Sequence, residues 1–286
     1  MTTRHDRGGD KTPKQAYGFA MKSVLVISSF VGGSNVGGSL AMKVLPQLGL
    51  RVSLLPTTLL GRHPGWGAPG GGPVPQDLFE GMAEGLIANH VPGQVDCILT
   101  GYFATAEQVA LAARMISDHA VWRVPVIVDP IMGDVGKGLY VDETVADAIV
   151  SELLPLASVI TPNSFEFWEI ERRLRHDVKH SDVLPERSEI RAQLARYREP
   201  FARYVTSVHD SGHVGIMGDR GQGDVMFAAR PFIKDKVPNG TGDLAALLLL
   251  QAELNGQTSA DDLDGLVHVL HQRIRMNEVG ELNAVF

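Results

Sequence analysis

The sequence predicts an α/β fold, a three-layer αβα sandwich around a mainly parallel central sheet. Three observations carry this reading. Short β-rich runs alternate with helical runs along nearly the whole chain, a pattern that packs helices on both faces of a parallel sheet. Val126-Ile127-Val128 is continuously apolar, as a strand covered on both faces must be. No internal repeat and no clear linker divides the chain, so residues 21–286 read as a single domain.

The elements follow in order. Val24 to Ile27 reads as a buried strand, and Val36 to Leu48 as a helix stopped by Gly49. Val52 to Leu55 is the next strand. Residues 61–75 form a Gly/Pro-rich loop, long enough to suggest a lid. A helix over 76–89, a strand over 95–100, a helix over 105–119 and a strand over 124–129 come next. A helix over 142–153, a strand over 157–160 and a helix from about 163 continue the alternation. The charged stretch 171–199 reads as surface helix with a break near Pro185. Strands are expected at 203–208, 213–217 and 224–228, the last two as a hairpin around Asp219-Arg220-Gly221. Helices at about 243–255 and 261–277 close the chain.

Composition narrows the function. The chain has 286 residues, 44% hydrophobic and 21% charged, ordinary for a globular protein. A formal net charge of −7 argues against nucleic-acid partners, which call for a basic surface, but leaves room for a local phosphate site. Cys97 is the single cysteine, so neither an intrachain disulfide nor a cysteine-based zinc cluster can form. Its apolar surroundings make it a structural thiol. The first twenty residues are polar and mixed in charge, a flexible leader and not a signal peptide. No apolar run approaches membrane-spanning length, and a cytoplasmic protein without membrane partners is expected.

Chemistry concentrates at Asn239-Gly240-Thr241-Gly242-Asp243, directly before Leu244-Ala245-Ala246-Leu247-Leu248-Leu249-Leu250. Glycines let the backbone turn tightly and bare its N–H groups. A helix start adds unpaired donors and the positive end of the dipole. Together they suit a phosphoryl group. A carboxylate there makes sense as the acceptor of a proton from an attacking hydroxyl; the plainer alternative is that Asp243 only caps the helix. Ligands in such folds bind beyond the carboxyl ends of strands, where Ser29, Thr57, Gly101, Asp129, Thr161 and Thr206 fall. Gly32-Gly33-Ser34-Asn35-Val36-Gly37-Gly38 joins a strand to a helix but has no dinucleotide or P-loop register; it reads as a tight loop that lets a ligand come close. Asp129, held extended by Pro130, can order a metal or a phosphate, or cap a turn. Asn163 and Glu166 have capping-box spacing, and Glu166 is alternatively placed near Mg²⁺. His63 and Trp66 share the Gly/Pro loop and suit a lid over a flat ligand. Tyr102 can stack on one, or belong to the core.

Taken together these segments resemble the ribokinase superfamily, and within it the pyridoxal kinases, from about Val24 to about Gly256. The carrying motifs are Val26-Ile27-Ser28-Ser29, Leu55-Pro56-Thr57-Thr58, Leu99-Thr100-Gly101-Tyr102, Asp129-Pro130-Ile131-Met132-Gly133-Asp134, Ile160-Thr161-Pro162-Asn163-Ser164-Phe165-Glu166, Val205-Thr206-Ser207 and Gly240-Thr241-Gly242-Asp243. The resemblance implies a ribokinase-like sandwich, a homodimer, that transfers the γ-phosphate of ATP to the 5′-hydroxymethyl group of pyridoxal. It implies Asp243 as catalytic base beside an anion hole of Gly240, Thr241 and Gly242. It puts Ser29, Thr57, Thr58, His63 and Tyr102 on the substrate. It puts Asp129, Asp134, Thr161, Glu166, Thr206, Arg230, Pro231, Phe232 and Ile233 on ATP, with Asp129, Thr161 and Glu166 holding Mg²⁺ and K⁺ as a further cation. Phe30 stands where the family commonly has His, and Pro56 where it often has Asn; the 61–75 loop is richer in Gly and Pro than usual. These departures lie on the substrate side. Alternatives are a hydroxymethylpyrimidine kinase, whose members tend to carry Cys in place of Asp243, or a weakly catalytic relative that binds pyridoxal phosphate or ATP as a carrier.

Overall fold

The structure, a computed structural model, describes residues 21–120, 124–175, 185–196, 201–234, 237–276 and 282. The expected leader lies outside these residues, as do 176–184 and 197–200 of the charged stretch.

The chain runs β1 (Ser23–Val31), α1 (Gly37–Gln47), β2 (Arg51–Leu60), β3 (Gly71–Pro73), α2 (Gln76–Ala88), α3 (Val91–Gln94), β4 (Cys97–Thr100), α4 (Ala106–His119) and β5 (Val126–Val128). It continues through β6 (Gly133–Asp134), β7 (Gly138–Leu139), α5 (Glu143–Ala148), β8 (Val159–Ile160), α6 (Ser164–Leu174) and α7 (Arg187–Arg196). It closes with β9 (Ala202–Asp210), β10 (His213–Asp219), β11 (Met226–Pro231), α8 (Thr241–Leu254) and α9 (Ala260–Arg275). Nine strands form one sheet in the order β11-β10-β9-β8-β5-β4-β1-β2-β3. Pairs from β2 through β9 across its centre are parallel, while β3, β10 and β11 add antiparallel edges.

Strand side chains alternate between faces, and the two cores follow that alternation. Leu25, Ile27, Ile98, Val126 and Val128 pack with Phe79, Val109, Ile116 and Val145 of α2, α4 and α5. Val24, Val26, Cys97, Leu99 and Ile127 pack on the other face with Leu40 and Val44 of α1, Leu247 of α8 and Leu263 of α9. The expected three-layer αβα sandwich is therefore the observed one. Leu244 through Leu250 are all buried, since α8 packs on the sheet with α1 and α9 as its neighbours. A helix apolar all round needs such cover.

Some expectations are corrected. The 61–75 stretch is not an open loop: it makes a short 3-10 turn at Pro64–Trp66 and then β3, paired antiparallel with the end of β2. β2 itself runs on to Leu60. Its register against β1 jumps from Ser28↔Pro56 to Phe30↔Leu59, so β2 carries an extra residue at Thr57-Thr58. Pro56 has no N–H for the ladder, and a bulge beside it absorbs the mismatch. The expected strand over 95–100 starts only at Cys97, after the single turn of α3. The expected helix over 142–153 is α-helical only to Ala148 and then widens into a π turn at Ile149–Leu153. The β6–β7 hairpin was not expected. Among the described residues no helix is long and apolar enough to cross a membrane.

The β10–β11 turn is pinned from within. Arg203 and Asp219 form an ion pair at 3.0 Å with side chains 3% and 0% exposed. Asp219 also accepts from the Gly221 N–H at 3.1 Å and the Gly223 N–H at 2.8 Å. Removing one partner leaves the other charge buried, which costs about 3–5 kcal/mol. Asp219→Ala is expected to lower the free energy of unfolding by about that amount, read from denaturant melts; a loss below about 1 kcal/mol would contradict the assigned role.

Candidate active site

Ser28 and Ser29 of β1, Thr57 and Thr58 of β2, Gly101 and Tyr102 after β4, Asp129 after β5, Thr161 after β8 and Thr206 in β9 lie at one end of the sheet. From β1 the chain moves outward through β2 to β3, then returns to the other side through β4, β5, β8 and β9. That reversal leaves a crevice beside β1 and β4, and the first turn of α8 faces it.

Gly240 is the N-cap of α8, with φ 88°. A Cβ there would collide with the Asn35 carbonyl oxygen, so glycine is required both by backbone angle and by space. Gly242 differs. Its φ is not left-handed, and a Cβ would meet nothing within 4 Å. The turn itself does not demand the second glycine, contrary to the expectation that both shape it; its bareness leaves the α8 end open. Asp243 is not the cap but lies in the first turn. Its carboxylate accepts from the Gly37 N–H and from its own N–H, yet loss of hydration raises its pKa.

Two cavities meet at this turn. A narrow one is lined by Ser28, Gly37, Gly101, Asp129 and Asp243. A wider groove of about 180 Å³ is lined by Thr206, Arg230, Phe232, Thr241, Gly242 and His271, among others. The nucleotide-side residues expected from sequence thus separate cleanly. Thr206, Arg230, Phe232 and Ile233 line the groove, and the Pro231 carbonyl oxygen lies 3.2 Å from Nε2 of His271. A carbonyl only accepts, so His271 carries its proton on that nitrogen. Arg230 is held by both carboxylate oxygens of Asp264 at 2.8 Å. Asp129, Thr161, Asp134 and Glu166 sit apart from the groove, on the acidic side.

On that side Thr161 Oγ1 donates to Asp129 at 3.1 Å. Glu166 accepts from the N–H groups of Met132 at 3.0 Å, Gly133 at 3.4 Å and Asn163 at 2.8 Å, while Asn163 caps the same helix. The capping box read in the sequence is present. Burial raises the Glu166 pKa to about 8 despite these donors. Burial, then the charges of Glu166 and Asp243, raise Asp129 well above the ordinary carboxylate range. Neither Asp129, Glu166 nor Asp243 has an ion-pair partner among the described residues. Buried carboxyls without a counter-charge suit a cation. No group of three His, Cys, Asp or Glu side chains that could hold a metal ion is present among the described residues. Asp134 lies on the β6–β7 hairpin, where its carboxylate accepts from the Val135 N–H at 2.9 Å and pairs with Lys137 at 3.5 Å.

Of the residues expected on the substrate side, Thr57 and Tyr102 are joined with Ser28 in a hydrogen-bonded rim. The Tyr102 N–H donates to Ser28 Oγ at 3.2 Å, and the Tyr102 carbonyl accepts from Thr57 Oγ1 at 2.7 Å. Burial raises the Tyr102 pKa. Thr58 Oγ1 is buried without a hydrogen-bond partner among the described residues. Ser29 approaches Gly37, where a Cβ would meet its Oγ at 2.5 Å. His63 stays with its loop, accepting from the Gly65 N–H at 3.0 Å and packing 5.7 Å from Trp66. Sequence reasoning missed Ser28 as a contact, Gly37 as the donor to Asp243, and Tyr140. The Tyr140 phenol is half desolvated, and the charges of Asp134, Glu166 and Asp243 raise its pKa further. It also missed Ser207, His209 and His271 in the groove. Ser28 adjoins Ser29 at the strand end and was within reach of the same argument; the others are joined to the site only by folding.

Fold and site together define a ribokinase-like α/β protein with a glycine-capped helix start beside buried carboxyls. The sequence profile of the phosphomethylpyrimidine kinase family matches residues 73–244, more than half of the chain, and the chain belongs to that family. It is 39% identical over 145 residues to a pyridoxine/pyridoxal/pyridoxamine kinase of Bordetella avium, covering 50% of this chain and 49% of that protein. The chain thus spans about half the length of these curated relatives. A pyridoxal kinase of Actinobacillus succinogenes is 29% identical over 84% of each chain. Among solved structures, pyridoxal kinase from Entamoeba histolytica superposes with a TM-score of 0.79 at 24% identity, over 93% of each chain. The Leishmania donovani pyridoxal kinase in complex with ADP and pyridoxamine gives 0.74 at 25% identity, over 89% of this chain and 86% of that one.

Two expectations follow from this geometry. Gly240→Ala is expected to lower both Tm and nucleotide affinity, whereas Gly242→Ala should keep Tm and weaken nucleotide binding alone; equal Tm losses in thermal melts would refute the distinction. The second concerns pH. Glu166 ionises near 4.5 when unperturbed and near 8 in the fold. Between those values the folded state binds more protons than the unfolded one, so stability falls as pH rises through this window. Glu166→Gln is expected to flatten that part of the Tm–pH curve, and Mg²⁺ to raise Tm more at high pH than at low; a Tm–pH curve of Glu166→Gln parallel to wild type would refute it.

Proposed function

We propose that this protein transfers the γ-phosphoryl group of ATP to the 5′-hydroxymethyl group of a vitamin B6 vitamer, with pyridoxal as the first candidate. The observation that carries this is the position of Asp243, which lines the narrow, acid-lined cavity and follows directly on Thr241 and Gly242, which line the wider groove. A hydroxyl presented from the substrate side would lose its proton to Asp243. Its oxygen would form a bond to the γ-phosphorus while the bond to the β–γ bridging oxygen breaks and ADP leaves. Desolvation raises the affinity of Asp243 for that proton, as a base working near neutral pH requires. Backbone N–H groups of the first α8 turn would receive the charge that builds on the transferring group. The groove, with its apolar slot and Arg230 at the rim, suits the nucleotide. Asp129, with Thr161 and Glu166, would hold Mg²⁺, which supplies charge neutralisation on the phosphates.

A hydroxymethylpyrimidine acceptor is the second reading, favoured by the matched family profile; Asp243 favours the first. ATP consumption measured in parallel with pyridoxal, pyridoxine and hydroxymethylpyrimidine separates them, and binding without turnover of any would support a carrier. Asp243→Asn is expected to fold and bind ATP while losing about 10²–10⁴-fold in kcat. Near wild-type kcat in that variant would sink the assignment.

A further inference from the structure

Asn35 stands behind the Gly240–Asp243 turn and is tied to two other parts of the chain. Its backbone carbonyl oxygen lies where a side chain on Gly240 would be, so the two backbones are in direct contact. Two residues on, the Gly37 N–H donates to the Asp243 carboxylate. The loop carrying Asn35 therefore forms the wall against which both the glycine turn and the acid are set. The Asn35 side chain holds that wall. Its Nδ2 donates to the Leu282 carbonyl oxygen at 2.7 Å, and its Oδ1 accepts from Lys43 Nζ at 2.5 Å. An amide can donate and accept from one position, which neither a carboxylate nor an ammonium can do. Leu282 is 1% exposed and packs in the core shared with α1, α8 and α9. Its carbonyl is thereby offered from a buried anchor. No side chain caps the N-terminus of α1; Ser39 Oγ accepts from the Val31 N–H at 2.6 Å where the loop begins, and Asn35 supplies the side-chain tether further along it.

We infer that Asn35 is a positioning residue, clamped between Lys43 and the Leu282 carbonyl, that sets Gly240 and Asp243 for catalysis. The clamp couples a C-terminal residue to the site although Leu282 is not among the residues lining either cavity. It rests on the reading of Asp243 as the base, but its mechanical part does not.

The test is a double-mutant cycle. Asn35→Ala and a chain ending at residue 281 are compared singly and together. Asn35→Ala is expected to lower kcat about 3- to 10-fold, the loss that goes with one neutral hydrogen bond, and the shortened chain, which also loses the buried Leu282 side chain, at least as much, each with KM for ATP and for the alcohol within about two-fold of wild type. The double variant is expected to be no slower than the shortened chain, because truncation already removes the bond that Asn35→Ala removes. Asn35→Asp keeps an acceptor for Lys43 but has no donor for Leu282, and should match Asn35→Ala. Amide hydrogen exchange across residues 238–244 is expected to quicken in all four variants. Multiplying effects in the cycle, or a KM defect with kcat intact, would overturn the clamp. So would unchanged exchange at 238–244. A wild-type protein that phosphorylates no alcohol would defeat the kinase reading instead, and the exchange measurement would still decide the clamp.

Discussion

Carboxyl groups held out of water at one end of the sheet are the constraint on which the rest of this structure depends. Asp129, Glu166 and Asp243 carry raised pKa values, each with desolvation as the largest cause. Unpaired buried charge is costly, so each carboxyl is held by donors placed for it. Glu166 takes three backbone N–H groups from the Met132-Gly133 turn and the α6 start. Asp243 takes the Gly37 N–H, and Asp129 the Thr161 hydroxyl. Every one of these donors comes from a segment that follows a strand. The loops are as they are because the acids need them there, and the remaining imbalance is what a cation would relieve.

The close approach of backbones is the second half of that constraint. A Cβ on Gly101 would meet Ser28 Oγ at 2.6 Å, and one on Gly37 would meet Ser29 Oγ at 2.5 Å. At Gly240 it would meet the Asn35 carbonyl. These three glycines let β1, the β4 end and α8 converge where larger residues would hold them apart. The apolar run Leu244–Leu250 then fixes α8 by burial on every side, so its polar first turn cannot shift independently of the core.

Much of this was legible in the sequence. Strand–helix alternation placed the suspicious residues at strand ends, and the glycine–acid turn before an apolar helix marked the start of α8. Thr206, Arg230, Phe232 and Ile233, expected together, line one groove. Glu166 was ambiguous for a physical reason: the geometry that caps α6 also buries a carboxylate beside Asp129, so both readings describe one arrangement. Gly240 and Gly242 were indistinguishable, because only the neighbouring Asn35 carbonyl tells a required glycine from a bare one. The β2 bulge, the β6–β7 hairpin, and the roles of Tyr140 and His271 come from tertiary proximity, which leaves no periodic or compositional mark.

The departures from the family pattern sit where the structure is least tied to chemistry. Pro56 displaces the β1–β2 register, and Phe30 is paired across that ladder with Leu59, both exposed at 39% and 46%. Yet the rim beyond the bulge is held: Thr57 bonds the Tyr102 carbonyl, and Gln108 donates to the carbonyls of Thr57 at 2.8 Å and Val74 at 3.2 Å. The substitution at Pro56 is therefore absorbed locally and does not propagate to Asp129 or Asp243. Thr57 has already spent its proton on Tyr102, whereas the Thr58 hydroxyl has no partner among the described residues. A buried hydroxyl left in that state is rare unless something binds it. On the proposed reading, selection among acceptors would fall on Thr58, Ser29 and the apolar Phe30 edge, while Asp129 and Asp243 keep hydrogen bonds to Thr161 and Gly37 that neither Pro56 nor Phe30 supplies.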